Sequence, residues 1–137
     1  MTARPEQGEV VRQWVLRAEE DLRNAEHTLT LREDCPFTTV CFHSQQCVEK
    51  YLKALLAQHG IRFTKTHDLV ELMGLLPEDA ARGLVVTEIG LLSRYAVETR
   101  YPGIWDPVDR EEAEQAAATA GAVRNIIRKR LAPAALE

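Results

Sequence analysis

Cys41-Phe42-His43-Ser44-Gln45-Gln46-Cys47-Val48-Glu49-Lys50-Tyr51-Leu52-Lys53-Ala54-Leu55-Leu56 carries two patterns at once. Stepped at about 100° per residue, Phe37, Val40, Cys41, Ser44, Val48, Tyr51, Leu52 and Leu55 fall in one broad stripe, the core-facing side of an α-helix. Roughly opposite lie His43, Gln46, Lys50 and Lys53, spaced i, i+3, i+7 and i+10. This second face has two readings. It is either a groove edge that holds an anion or a partner, or a solvated surface. The solvated surface would carry local pairs such as Gln46 with Lys50 and Glu49 with Lys53, each contributing about 0.3 kcal/mol. Composition alone favours the solvated surface.

Working outward, the sequence reads as five helices with short punctuation. The first runs from about Glu6 to Arg32, with Val11, Trp14, Ala18, Leu22, Ala25 and Leu29 at helical spacing. Glu33-Asp34-Cys35-Pro36 breaks it, and Pro36 suits the first turn of the second helix. That helix ends near Gly60, a left-handed stop after His59. Thr66 is read as the N-cap of a short third helix that buries Leu69, Leu72, Met73 and Leu76. Pro77-Glu78-Asp79 is a turn or the start of another element.

A fourth helix is expected from about Leu84 to Arg100, stopping before Tyr101-Pro102-Gly103, since a proline disfavours helix in the residue before it. Asp109 with Glu112 resembles a capping box. It opens a last helix that runs to about Leu131, with Ala113, Ala116, Ala120, Val123 and Ile127 inward. Residues past Leu131 are read as a frayed tail. Short links between long helices make antiparallel neighbours. The expected fold is therefore all-α, an up-down bundle of four to five helices in one domain over 1–137, with its core at about 6–131.

At 137 residues the chain can bury a core without metals or staples. A net charge of −4 argues against binding duplex DNA by neutralising phosphates, although one groove can still be basic. Cys41 and Cys47 sit about 120° apart around a helix, too divergent for a disulfide. There is no C-x-x-C or H-E-x-x-H spacing, so no metal site is expected. Free thiols, no apolar leader and no run of roughly 20 apolar residues point to a cytoplasmic protein without a membrane span.

The fourth helix is apolar on most of its circumference. Leu84, Ile89, Leu91, Leu92, Tyr95 and Ala96 form its core side, while Gly90, Arg94, Val97 and Tyr101 line another. Such a helix is buried on two sides, the second being a subunit contact. Arg94 then sits in or beside an interface, either paired with Glu98 four residues on or waiting for phosphate. Among the histidines, His27 reads as solvated and His59 as favourable at a helix C-terminus. His67 either orients a turn or packs on the second helix. Only His43 shares a face with Gln46 and Lys50.

Together these residues resemble the HEPN superfamily of small all-α nucleotide-binding domains. The resemblance rests on Gln45-Gln46-x-x-Glu49-Lys50-x-x-Lys53-Ala54-Leu55 with Gly60, then Thr66-His67-Asp68-Leu69, then Tyr95 through Thr99-Arg100-Tyr101-Pro102. It spans about residues 10 to 131. It implies a homodimer formed through the central helices and, in many members, a minimal nucleotidyltransferase partner in a toxin–antitoxin pair. Other members are metal-independent RNases with an R-x4-6-H motif, in which Arg and His act around a scissile phosphate.

Here Arg94 and Tyr101 match that motif, but Thr99 stands where histidine is expected. Threonine has no proton-transfer equilibrium near neutral pH, so the resemblance implies little or no RNase activity. It implies no cofactor. By the same resemblance, Arg94 and Tyr101 are the candidate catalytic positions, Tyr101 being also a target for modification by the nucleotidyltransferase. His43, Gln46, Lys50, Lys53, His67 and Arg100 are candidate contacts to a nucleotide or RNA. The alternatives are an RNase toxin in which His43 or His67 replaces the missing histidine, and a plain oligomerisation domain.

Overall fold

Val11, Val15, Ala18, Leu22 and Ala25 recur at three- and four-residue steps and form the buried stripe of α1 (Gln7–Thr28). The computed structural model describes residues 6–96 and 107–137. α1 ends four residues short of the expected Arg32. The Thr30 hydroxyl donates to the His27 carbonyl at 2.7 Å, a side-chain bond that competes with continued helix. The chain then turns into α2 (Phe37–Gln58), with Pro36 just ahead of its first residue.

α2 is the central element, and the expected stripe lies in the core: Val40, Cys41, Ser44, Val48, Tyr51, Leu52 and Leu55 are inaccessible. The helix stops as its sequence predicts. Gly60 adopts φ +69°, and the Ile61 and Gly60 amides donate to the carbonyls of Leu56 and Ala57. This is a Schellman closure, which a Cβ strains at the left-handed residue. Gln7 donates its amide to the carbonyls of Ala57 and Gln58, tying the start of α1 to the end of α2. Gly60→Ala is therefore expected to cost about 1–2 kcal/mol, read as a lower midpoint in urea with an unchanged slope.

Three short helices follow: α3 (Leu69–Gly74), α4 (Glu78–Ala81) and α5 (Val86–Leu92). The cap of α3 is Asp68 and not the expected Thr66; the Asp68 carboxylate accepts from the amides of Val70 and Glu71. Thr66 supports the cap from outside, its hydroxyl accepting from the Asp68 amide at 3.1 Å. Leu69, Leu72, Met73 and Leu76 are buried as expected.

The expected fourth helix begins two residues late, because Gly83 takes φ +89° and Val85 is extended. It also tightens early, into a 3-10 turn at Ser93–Tyr95. That turn lets the Ser93 hydroxyl accept from the Leu69 amide at 3.1 Å. Ile89, Leu92 and Tyr95 face the core, but Leu91, expected with them, is 64% exposed. Gly90 faces α3: a Cβ there would meet Val70 Cγ2 at 3.2 Å. At this point the helix's second side is thus covered from within the chain.

α6 (Arg110–Arg128) begins at the expected cap, Asp109 accepting from the Glu112 amide at 2.8 Å. Its inward residues Ala113, Ala116, Ala120, Val123 and Ile127 are buried. α2 lies between α1 and α6, with α3, α5 and the 3-10 turn along its flank. Arg110 bonds the Leu29 and Leu31 carbonyls, and Gln58 bonds Arg130 and Ala132, so α6 runs antiparallel to α1 and parallel to α2. The tail, expected to fray, forms a 3-10 turn at Pro133–Leu136 that buries Ala135 against α1. Among the described residues there are helices and no strands, and no helix is long and apolar enough to cross a membrane.

Candidate functional site

The polar face of α2 is not the solvated surface that composition favours. Gln45, Glu49 and Lys53 are all under 9% exposed, because the loop before α3 and the side chains of Trp14 and Phe63 close over them. Glu49 is the hub. It accepts from Gln45 at 3.0 Å, Lys53 at 3.1 Å and the His67 ring at 2.9 Å. Burial pushes its pKa up, but the hydrogen bonds from Gln45, His67 and Lys53 and the Lys53 charge outweigh that and hold it below the ordinary value. The Lys53 ammonium also lies 5.5 Å from the Trp14 ring centre. His67 is the outward member: Nδ1 meets Glu49 while its side chain is 62% exposed. Gln46 joins this cluster by donating to the Gln45 side-chain oxygen at 2.7 Å.

A second cluster lies where α1 crosses α2. Asp21 accepts from His43 Nδ1 at 2.8 Å and from Lys50 Nζ at 2.5 Å. His43, Gln46, Lys50, Lys53 and His67 are thus gathered into two adjoining networks on α2, with both lysines engaged by carboxylates from within the chain. Asp21 is not among the residues that the sequence singles out. A signal for it exists: an acid beside Leu22, at a position of α1 that should face the core.

The third cluster contains the motif arginine. Arg94 Nη2 donates to Glu112 Oε1 at 2.9 Å, and the buried Tyr95 hydroxyl donates to Glu112 Oε2 at 2.6 Å. Burial and then the hydrogen bond to Glu112 push the Tyr95 phenol up, so it stays a donor. Glu112, expected only as part of a cap, thus uses its carboxylate to join the 3-10 turn to α6. Glu98, the expected intrahelical partner of Arg94, lies outside the described residues, as do Val97, Thr99, Arg100 and Tyr101. The groove beside this cluster has a volume of about 420 Å³. A fourth ionic cluster pins α6 to α1, Glu19 taking Arg124 at 2.8 Å and Arg128 at 3.1 Å. All three cysteines are free thiols.

The model of the HEPN domain family matches residues 11–130. The chain belongs to the HEPN domain family. Two solved structures share the HEPN chain's fold. One is TT1696 from Thermus thermophilus, with a TM-score of 0.75 and 29% identity over 88% of this chain and 98% of that one. The other is ST0689, an archaeal HEPN homologue, with a TM-score of 0.67 and 25% identity over 88% and 96% of the two chains. No curated protein matches. HEPN domains are generally nucleotide- or RNA-related and often form dimers.

Proposed function

We propose that this HEPN chain is a dimeric, cytoplasmic binding module that works with a minimal nucleotidyltransferase in a toxin–antitoxin-like pair and does not itself cut RNA. One observation carries the reading: the motif Arg94 is held by Glu112, which also takes the Tyr95 hydroxyl. A guanidinium engaged by a carboxylate from the same chain is poorly placed to stabilise a developing phosphate charge. Thr99 at the histidine position supports the same conclusion, because no imidazole stands there to move a proton. The candidate contacts on α2 fit a supporting role, since His43 and Lys50 are pinned by Asp21, and Lys53 by Glu49.

The proposed modification is nucleotidyl transfer to Tyr101. Its phenolic oxygen forms a bond to the α-phosphorus of a nucleoside triphosphate, pyrophosphate leaves with the bonding pair, and the phenolic proton passes to solvent. The experiment incubates the chain with the nucleotidyltransferase encoded beside it and each nucleoside triphosphate. The expected result is a mass gain of whole nucleotides, absent in Tyr101→Phe, and intact RNA when the chain is incubated alone. No mass gain and no titratable nucleotide would overturn the reading. RNA cleavage that His67→Ala abolishes would instead favour an RNase. The supporting observation for that alternative is the exposed His67 ring oriented by Glu49.

A further inference from the structure

The groove between α5, the 3-10 turn and α6 has an apolar lining that includes the exposed Leu91 and the buried Leu92. Its rim is acidic. Among the described residues, four carboxylates line it against the single guanidinium of Arg94, and that guanidinium is bonded to Glu112. Asp109 and Glu112 have structural partners, as the α6 cap and as the acceptor for Arg94 and Tyr95. Glu88 and Glu111 are exposed, and neither makes an ion pair within the described residues.

This charge pattern selects the occupant. A phosphate-bearing ligand would enter a field of carboxylates at close range, which disfavours it strongly inside a groove. A bare metal ion has no converging ligand set among the described residues. A second copy presenting this same face would set carboxylates against carboxylates, so a dimer formed elsewhere on the chain leaves the groove open. A segment that places Lys or Arg beside Leu or Ile satisfies both the carboxylates and the apolar lining, in the manner of an amphipathic helix laid in a groove.

We propose that this groove is a docking site for a basic amphipathic segment of a protein partner, with Glu88 and Glu111 reading the basic side chains and Leu91 the apolar one. The inference rests on the binding-module reading and names the kind of segment its partner presents.

The test uses a fluorescein-labelled 12-residue peptide of leucine and lysine in helical amphipathic order, titrated with the full chain and followed by anisotropy. Glu88→Lys/Glu111→Lys is expected to weaken binding at least about tenfold, through loss of charge complementarity. Leu91→Gln weakens it several-fold at unchanged charge. Glu20→Lys/Glu26→Lys, the same charge change on exposed positions of α1, leaves binding near wild type. Amide chemical shifts of the wild-type chain should move around Leu91 and Ala116 when the peptide is added.

Equal weakening by the α1 control, no binding at all, or shifts confined to other faces would each overturn the docking site. So would an anionic single-stranded RNA that displaces the peptide from the groove by binding there. Peptide docking with the expected variant effects, but no nucleotidyl transfer to Tyr101, would remove the nucleotidyltransferase as partner and leave the groove assignment standing. Transfer to Tyr101 with peptide binding indifferent to the groove variants would do the reverse.

Discussion

Glu49→Ala is expected to destabilise the fold by about 3–5 kcal/mol, the cost of removing one partner from a buried ion pair. Lys53, buried at 7% exposure, would keep its charge with no carboxylate beside it, held against the Trp14 and Phe63 rings. Gln45 and His67 would lose the acceptor that joins them, so the loop before α3 loses its anchor on α2. Replacing both charges, as Glu49→Met with Lys53→Met, should recover the part of the loss that comes from the unpaired Lys53, because two apolar chains of similar volume no longer need pairing, and leave the part that comes from Gln45 and His67. The measurement is urea unfolding followed by circular dichroism. A Glu49→Ala chain within about 1 kcal/mol of wild type would contradict the pair's buried character.

The same residue sets an acid limit. Glu49 and Glu19 are both held below the ordinary carboxylate value, burial being outweighed by hydrogen bonds and by the charges of Lys53, Arg124 and Arg128. A carboxyl whose folded pKa is lowered contributes stability above its unfolded value and loses it as pH falls through the folded one. The contribution is whole at neutral pH and disappears at pH values below the 4.5 of an unperturbed glutamate. Melting temperature should therefore fall steeply on acidification below that point. Glu49→Gln, which titrates no proton there, should start lower at pH 7 and fall less steeply.

Periodicity finds the axis and inner stripe of α2, and the glycine at its end, because those follow from local rules: helical repeat, left-handed closure, side-chain size. It does not reveal what lies over the polar side. The partners that bury it come from far along the chain, Asp21 reaching residues 22 and 29 positions away. A face marked by Gln, Glu and Lys is solvated when nothing covers it and a buried network when α1 and a loop do. Only tertiary packing decides between them.

The fourth helix fails differently. Its apolar residues exceed what one core face can hold, so spacing alone could not say that Leu91 is exposed while Tyr95 is buried. The 3-10 turn at Ser93 goes with bonds to Leu69 and Glu112, again non-local. Asp109 was legible as a cap because that bond spans three residues; the second use of Glu112, as a clamp 18 residues from Arg94, was not.

That clamp carries the other large prediction. Glu112→Ala should cost about 2–3 kcal/mol, most of it from the buried Tyr95 hydroxyl losing its acceptor. The Arg94 pair contributes less, since its guanidinium is half exposed and screened. Tyr95→Phe should cost only about 1 kcal/mol, because the hydroxyl leaves together with its need for an acceptor and the Arg94 bond to Glu112 remains. The two variants also separate stability from binding. Glu112→Ala removes one carboxylate from the groove and releases Arg94 from that carboxylate, so affinity for a short single-stranded RNA should rise several-fold at low salt. Tyr95→Phe should leave it unchanged. Thermal unfolding measures the first contrast and RNA anisotropy at two salt concentrations the second. If Tyr95→Phe is as destabilising as Glu112→Ala, the hydroxyl's role is packing and not hydrogen bonding. If Glu112→Ala leaves RNA affinity unmoved, Glu112 is not what keeps Arg94 from phosphate.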